Sequence, residues 1–284
     1  MKNISHIPAL ELFHLTVSYG DNLIVSDCSL TIPQGVMLGI IGPNGAGKTT
    51  LMKSILGIIK KKSGQVLFLG RAFGHVQHKI AYVAQRNTID WDFPVTVFDM
   101  VLMGCYGKLG WCKRPGVAEQ IKVYEALATV GLGDYANQPI GMLSGGQQQR
   151  AFIARALAQD PTLYFLDEPF AGVDAPSEKI IVELLKTLRD QGKTIIVVHH
   201  DLFTAQSYFD WVLLMNKKII GCGPIEEVLT QQNFAQVYGG NFAFSGLALN
   251  PLFDKTHFSS SVRPECFCLQ KCIEGCNKIK ILFE

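Results

Sequence analysis

The sequence has no long hydrophobic run, no marked excess of either charge and no apolar stretch at its N-terminus. Its apolar runs, such as those at residues 36–41 and 195–198, fall far short of the roughly 18 residues that a membrane-spanning helix needs. Residues 1–8 lack the apolar segment of a signal peptide. The 26 Lys and Arg residues nearly balance the 24 Asp and Glu residues, which argues against a nucleic-acid partner. We therefore expect a soluble, cytoplasmic protein that can still dock on a membrane-bound partner.

Internal repeats and low-complexity linkers are also missing, and the composition is that of an ordinary globular protein. The chain has 284 residues, a length that allows one large domain or two small ones, and 48% of these residues are apolar. A chain of this length can bury a core without disulfides. Half of the eight cysteines are scattered, and we expect them to be free thiols that pack as small hydrophobic side chains: Cys28, Cys105, Cys112 and Cys222.

Apolar strands alternate with helical segments along the chain. Three strands are continuous apolar runs, a pattern typical of strands buried in a parallel sheet: residues 36–41, 163–167 and 194–198. Helices are predicted over three further segments: residues 48–56, 147–159 and 177–190. Residues 95–138 read as helical with glycine breaks, and residues 10–32 as several short strands. The sequence therefore predicts an α/β fold with a mostly parallel central sheet and a small antiparallel N-terminal sheet.

The strand at residues 36–41 leads into a glycine-rich loop that matches the pattern G-x-x-x-x-G-K-[ST]. The loop consists of Gly42, Pro43, Asn44, Gly45, Ala46, Gly47, Lys48, Thr49 and Thr50. Glycines let backbone N–H groups point at phosphate oxygens, and the following helix N-terminus adds partial positive charge. We expect Lys48 to neutralise the β- and γ-phosphates of a nucleotide and the Thr49 hydroxyl to bind Mg²⁺. A simple glycine-rich turn is the alternative.

Two acids end the apolar strand at residues 163–167, where α/β sheets bind ligands. Asp167 can hold Mg²⁺ through water, and Glu168 can polarise an attacking water molecule. A solvated acidic pair is the alternative, which fits less well with a phosphate loop in the same chain.

A third motif directly precedes the predicted helix at residues 147–159. It consists of Leu143, Ser144, Gly145, Gly146 and Gln147, followed by Gln148, Gln149 and Arg150. This motif, called the signature below, would form a second anion-binding helix N-terminus. Taken alone it is an ordinary helix cap, but its position shortly before the acidic strand makes it specific.

The phosphate loop, the signature and the acidic strand, in this order, resemble the nucleotide-binding subunits of ATP-binding cassette (ABC) transporters over about residues 9–240. The resemblance implies that two subunits dimerise head to tail, with each ATP held between the phosphate loop of one and the signature of the other. It implies ATP and Mg²⁺ as cofactors. The implied partners are a second copy of the chain, transmembrane permease subunits and, indirectly, a substrate-binding protein. The chain would then lie on the inner face of the plasma membrane.

The resemblance assigns roles to four further positions. Tyr19 matches the aromatic that stacks on adenine, and Gln85 the glutamine that contacts Mg²⁺ and the permease. Asp174 matches the aspartate at the dimer interface. His200, rather than His199, matches the histidine that contacts the γ-phosphate and orients water. Each role has an alternative. Tyr19 could be an aromatic of the core, Gln85 a glutamine at a strand end and Asp174 an aspartate in a turn. The roles of His199 and His200 could also be exchanged.

The mechanism implied by the resemblance is hydrolysis of ATP by in-line attack of water. Lys48 and Mg²⁺ would stabilise the phosphoryl charge, and Glu168 would act as the general base. Ser144 and Gly146 of the second copy would complete the site. On this hypothesis Glu168→Gln keeps ATP binding and loses turnover.

Residues 85–104 resemble, more narrowly, the ATPase subunits of bacterial importers of manganese, zinc or iron. Trp91 and Phe93 suit a surface on which a permease docks, with core packing as the alternative. The cargo rests on this resemblance alone. Other hypotheses are an importer of haem, iron chelates or another solute, an exporter ATPase, and a non-transport ABC ATPase of DNA repair or translation.

We predict an ATP-binding domain at residues 1–248, with a helical subdomain at about residues 95–160, and a cysteine-rich tail at residues 249–284. The tail holds Cys266, Cys268, Cys272 and Cys276, which could bind Zn²⁺ with His257. A helical site is disfavoured, because Cys268 and Cys276 would lie about 12 Å apart along a helix axis. A poorly constrained tail with free thiols is the favoured interpretation.

Overall fold

The computed structural model describes residues 7–19, 22–86, 94–109 and 113–238, apart from the side chains of Tyr19, Asn22 and Phe203. The strands are β1 (Leu10–Tyr19), β2 (Asn22–Ile32), β3 (Met37–Ile41), β4 (Ser63–Phe68), β5 (Ile80–Val83), β6 (Leu163–Asp167), β7 (Thr194–His199), β8 (Trp211–Met215) and β9 (Ile219–Pro224). The helices are α1 (Lys48–Ile55), α2 (Phe73–Val76), α3 (Val97–Leu102), α4 (Tyr106–Leu109), α5 (Val117–Thr129), α6 (Gly145–Ala158), α7 (Ala175–Asp190), α8 (Leu202–Tyr208), α9 (Ile225–Val228) and α10 (Gln231–Tyr238).

The N-terminal strands form a small antiparallel sheet in the order β2-β1-β4. The register of β1 against β2 shifts between Leu12 and Leu15, and His14 in this bulge has a φ of 49°. Because a bulge inserts one extra residue, it reverses which face later side chains occupy. Leu12 and Leu15 are therefore both buried. The prediction of strands over residues 10–32 is confirmed, but the region forms two long strands and not several short ones, because Leu12 and Leu15 belong to one bulged strand.

The central sheet has the strand order β5-β6-β7-β3-β8-β9. Its first five strands are parallel, and β9 pairs antiparallel with β8. The register pairs Ile41 with His199 and Asp167 with Val198. The carboxyl ends of β3, β6 and β7 therefore lie side by side at one edge. This architecture confirms the predicted α/β fold with a mostly parallel sheet and a small antiparallel sheet.

Helices α3, α5 and α6 share an apolar cluster of their own. Two other apolar clusters cover the central sheet. Val101, Leu127 and Ala151 contribute fully buried side chains to the cluster that the three helices share. The prediction of a helical segment over residues 95–138 is only partly right, because α5 ends at Thr129. The chain turns there through Gly131, which has a φ of 66° and donates its N–H to the carbonyl of Ala128.

Two of the scattered cysteines, Cys28 and Cys105, are buried in apolar clusters, as expected of thiols that pack as small hydrophobic side chains. Across the part of the chain that the structure describes, no helix is both long and apolar enough to cross a membrane.

Candidate functional site

The phosphate loop joins β3 to α1 and requires glycine at two points. Gly47 has a φ of 94°, and a Cβ at this position would collide with the side chain of Ile24. A Cβ at Gly42 would collide with the carbonyl oxygen of Met215. Because α1 begins at Lys48, the unpaired N–H groups of its first turn adjoin the loop. This arrangement is typical of sites that bind phosphate.

Lys48 lies over the phosphate loop. Its Nζ donates to the carbonyl oxygens of Gly42, at 2.8 Å, and Pro43, at 3.0 Å. Burial lowers the pKa of the Lys48 ammonium, and the negative charges of Glu168 and Asp167 oppose that effect. An ammonium held here can pair with phosphate oxygens that enter the loop.

Asp167, at the end of β6, is fully buried and meets the first turn of α1. The Thr49 hydroxyl donates to Asp167 Oδ1 at 2.8 Å, although the two residues are 118 positions apart in the chain. Asp167 Oδ2 is buried and makes no hydrogen bond among the described residues. Burial raises the pKa of Asp167, and the Thr49 hydrogen bond and the charge of Lys53 oppose this shift.

Thr49 and Asp167 fit a magnesium ion that is held together with a nucleotide. Both offer oxygen atoms, which Mg²⁺ prefers, and Asp167 Oδ2 is a buried polar atom that still lacks a partner. Among the described residues, no group of three or more His, Cys, Asp or Glu side chains could hold a metal ion alone. Mg²⁺ commonly takes one or two protein ligands and completes its shell with water and substrate phosphates.

Glu168 follows Asp167 in a left-handed conformation, with a φ of 49°. Its Oε2 accepts a hydrogen bond from Gln85 Nε2 at 2.8 Å. Gln85 lies just beyond β5, which neighbours β6 in the sheet. Two side chains that the sequence analysis singled out are thus in direct contact. The other carboxylate oxygen of Glu168 could receive a proton from a water molecule.

His199 and His200 follow the same strand but occupy different environments. His199 is buried, its Nε2 lies 2.8 Å from Thr204 Oγ1, and its ring packs edge-on against Phe170. Burial lowers the pKa of His199 to about 4. His200 is exposed at the same edge of the sheet. Of the two rings, His200 is therefore the one open to a ligand.

The signature forms the N-terminus of α6. Ser144 Oγ accepts the Gln147 N–H at 3.3 Å, and Gln147 Oε1 accepts the Ser144 N–H at 2.8 Å, which makes a reciprocal cap. A Cβ at Gly146 would collide with Asp174 and lie 2.6 Å from Ser177 Oγ. Asp174 in turn caps α7 by accepting the Ser177 N–H at 3.1 Å. Hydrogen bonds from the backbone and the side chain of Ser177 lower the pKa of Asp174.

Not all of the predicted site residues come together within one chain. Thr49, Gln85, Asp167 and Glu168 form a contacting group with the phosphate loop, whereas Gly146 contacts Asp174 and Ser177 instead. Within the described ranges, no hydrogen bond joins Ser144 to the phosphate loop. The Tyr19 side chain, Trp91, Phe93 and the whole tail with its four cysteines and His257 lie outside the described residues.

Arg86 and Gln148 stand in segments that the sequence singled out, but no role was predicted for either side chain. Arg86 donates from Nε, at 3.0 Å, and from Nη2, at 2.8 Å, to Gln148 Oε1. Gln148 stands three residues before the small apolar Ala151, so the two residues share one face of the helix. This spacing could have indicated that Gln148 is buried. The sequence carries no local signal that connects Arg86 to a side chain 62 positions away.

Comparison with known proteins adds sequence relatives and structural neighbours. A family model described as ABC transporter matches residues 25–171. The manganese transport system ATP-binding protein MntB of Bacillus subtilis (strain 168) is 50% identical over 235 residues, 83% of this chain and 94% of that protein. The zinc transport system ATP-binding protein TroB of Treponema pallidum (strain Nichols) is 51% identical over 235 residues, 83% and 88% of the two chains. The structure of cbiO1 from Clostridium perfringens, part of the ABC transporter complex cbiONQ, matches with a TM-score of 0.69 at 29% identity, over 81% of this chain and 94% of that one.

Proposed function

The chain belongs to the ABC transporter family, and from that premise we propose that it is the ATP-hydrolysing subunit that powers a permease importing manganese, zinc or iron. The observation that carries the cargo class is the 50–51% identity to a manganese and a zinc transport system ATP-binding protein over 83% of the chain. Such similarity extends well beyond the phosphate loop, the signature and the acidic strand.

ATP binds with its phosphates in the phosphate loop. The backbone of residues 42–47 and the N-terminus of α1 surround the β- and γ-phosphates, and Lys48 neutralises their charge. Lys48 Nζ lies 2.8 Å from the Gly42 carbonyl, at the loop that would receive the phosphates. Thr50, Asn44 and the remaining loop residues complete the cradle, and Tyr19 stacks on the adenine.

Thr49, Asp167 and Gln85 are the residues that would hold Mg²⁺ beside the phosphates. When bound, the ion supplies positive charge that stabilises the phosphoryl group during transfer. The buried and unpartnered Oδ2 of Asp167 supports this assignment.

Glu168 acts as the general base in the hydrolysis. A water molecule in line with the β–γ bridging oxygen loses its proton to Glu168 as its oxygen attacks the γ-phosphorus. The bond to the bridging oxygen breaks, and ADP and phosphate are the products. The hydrogen bond from Gln85 holds one oxygen of Glu168, which orients the other. His200 contacts the γ-phosphate and orients the water.

A second copy of the chain completes each site. Ser144, Gly145, Gly146 and Gln147 of that copy present their helix N-terminus to the γ-phosphate, and Asp174 lies at the interface. The absence of a hydrogen bond from Ser144 to the phosphate loop within one described chain supports this arrangement. Permease subunits in the membrane and, through them, a substrate-binding protein are the further partners, which places the chain on the inner face of the membrane.

The test of this function is elemental analysis of cells in which Glu168→Gln replaces the native chain. Loss of the general base stops ATP turnover, so we expect a selective fall in the cellular content of one metal among manganese, zinc and iron. Glu183→Gln, an exposed position on α7, is the matched control and should leave every metal unchanged.

A selective fall in one metal would support the importer and identify its cargo in the same measurement. Unchanged metal contents in the Glu168→Gln cells, with expression and loss of ATPase activity verified, would contradict the metal assignment. The ATPase chemistry of the chain would then stand, and the cargo would be another solute.

A further inference from the structure

Arg86 lies where three parts of the candidate site meet. Its guanidinium donates twice to the side-chain oxygen of Gln148, at 2.8 and 3.0 Å. Gln148 is buried in the first turns of α6, with 4% of its surface exposed, and its own amide donates to the Ile140 carbonyl at 3.2 Å. Arg86 thus reaches from the end of β5 to the helix that carries the signature.

The guanidinium also packs closely against two glycines. A Cβ at Gly145 would lie 2.9 Å from Arg86 Nη1, and one at Gly172 would lie 3.9 Å from the same atom. Gly145 belongs to the signature, and Gly172 to the loop between Glu168 and α7. A side chain at Gly145 would therefore displace Arg86 from Gln148.

Gln148 is neutral, so its contact with the Arg86 guanidinium is a hydrogen-bonded one and not an ion pair. A double hydrogen bond to one buried oxygen instead fixes the direction of α6 relative to β5.

The residue before Arg86 is Gln85, which donates to Glu168. Two consecutive side chains therefore hold the proposed general base on one side and the signature helix on the other. Their α-carbons are separated by one rigid peptide unit of about 3.8 Å. A rotation of α6 relative to β5 would therefore disturb the contact between Arg86 and Gln148.

We propose that Arg86 is a positioning residue that, through Gln148, holds the signature of one chain at the orientation in which it completes the ATP site of a second copy. This inference rests on the proposed function. Arg86 need not touch ATP for this role, so its loss should affect turnover and leave nucleotide binding to the phosphate loop unchanged. Misplacement by about 1 Å can cost a hundredfold in rate, which is the scale of effect expected.

The test is a double-mutant cycle on the purified full-length chain with Arg86→Ala, Gln148→Ala and both together. We expect each single variant to lower kcat between about tenfold and a hundredfold. The dissociation constant of a fluorescent ATP analogue should stay within about twofold of the native value, and the double variant should be about as slow as the worse single variant, because both changes remove one contact. Arg114→Ala, at an exposed position, controls for the loss of an arginine charge.

Two substitutions of Gln148 separate positioning from packing. Gln148→Glu keeps an oxygen that can accept from Arg86, whereas Gln148→Met keeps the volume and helix propensity but no such oxygen. Both variants lose the amide that donates to the Ile140 carbonyl, so a positioning role predicts that the glutamate variant, which still accepts from Arg86, is the faster of the two. If Gln148 only packs, the apolar methionine would be tolerated better than a buried glutamate.

Single variants with native kcat, or a double variant whose loss is the product of the two single losses, would overturn the proposal. A methionine variant that is faster than the glutamate variant would do the same. These results leave the proposed function intact provided that the native chain hydrolyses ATP. A native chain that binds no ATP or does not hydrolyse it would instead overturn the proposed function together with this role of Arg86.

Discussion

At the scale of single residues, burial gives neighbouring side chains different chemistry. His199 lies inside the sheet edge against Phe170 and Phe209, while His200, one position later, is exposed. Removal from water disfavours the charged imidazole. His199 is therefore neutral at physiological pH, and its ring nitrogen is engaged with Thr204. This leaves His200 as the histidine available to a phosphate group.

His199 predicts a loss of stability in acid. Its pKa is about 4 in the folded chain and about 6.5 when unfolded, so the unfolded chain binds more protons between these values. The stabilisation is complete above pH 6.5 and is lost as the pH falls towards 4, by at most about 3 kcal/mol. Urea unfolding of native and His199→Gln chains at pH 7.5, 6 and 5 measures it, and the native chain should lose more stability than the variant.

His200→Gln, at the neighbouring exposed position, is the comparison variant for this measurement. Equal slopes of unfolding free energy against pH for the native and His199→Gln chains would contradict the buried, neutral assignment of His199.

The candidate site shows which residues a sequence can reveal. Lys48, Thr49, Asp167 and Glu168 stand in short motifs at strand ends, and the parallel sheet brings those ends together. Their contacts therefore follow from motif and topology. The pair of Arg86 and Gln148 depends on how α6 packs beside β5, and no periodic pattern in the chain encodes that packing.

At the scale of elements, the N-termini of α6 and α7 are in close contact. Gly146 in the first turn of α6 lies against Asp174 and Ser177, the residues that form the cap of α7. A methyl group has no space between them. Gly146 of the signature is therefore needed for packing within the chain.

Gly146→Ala should accordingly destabilise the chain, although alanine is the better helix former. The clash must move Asp174 or Ser177 and weaken the cap, at a cost of about 1–3 kcal/mol. Gly74→Ala in α2 is the matched control, since a Cβ there meets nothing within 4 Å and should be neutral or slightly stabilising. Chemical unfolding compares the two, and a Gly146→Ala chain as stable as the native one would contradict the close contact.

The N-terminal strands illustrate the limit of reading periodicity. Leu10 and Leu12 alternate in one phase and Leu15 and Val17 in the other, which suggests two strands. The structure has one strand with a bulge at His14, whose left-handed conformation absorbs the extra residue. A strand break and a bulge both shift the alternation of apolar residues by one position, so the sequence looks the same in the two cases. Only the pairing of β1 with β2 distinguishes them.

At the scale of the whole molecule, sheet order gathers the chemistry at one edge. β3, β6 and β7 are neighbours, so the phosphate loop, Glu168 and His200 follow parallel strand ends. The signature belongs to α6 and faces Asp174 rather than this group. One chain therefore presents two separate helix N-termini, at α1 and α6, and on the proposed function a head-to-tail pair of chains would bring them together around each ATP.

This arrangement predicts a dimer whose formation depends on bound ATP. Glu168→Gln should bind ATP without hydrolysing it, and ATP held between the phosphate loop of one copy and Ser144 of the other would then bridge the two chains. Sedimentation velocity with ATP and Mg²⁺ should show a dimer for this variant and a monomer when ADP replaces ATP. Adding Lys48→Ala should abolish the dimer, because the phosphate charge is no longer neutralised. A Glu168→Gln chain that stays monomeric at saturating ATP, or that dimerises equally without nucleotide, would rule out a site shared between two copies.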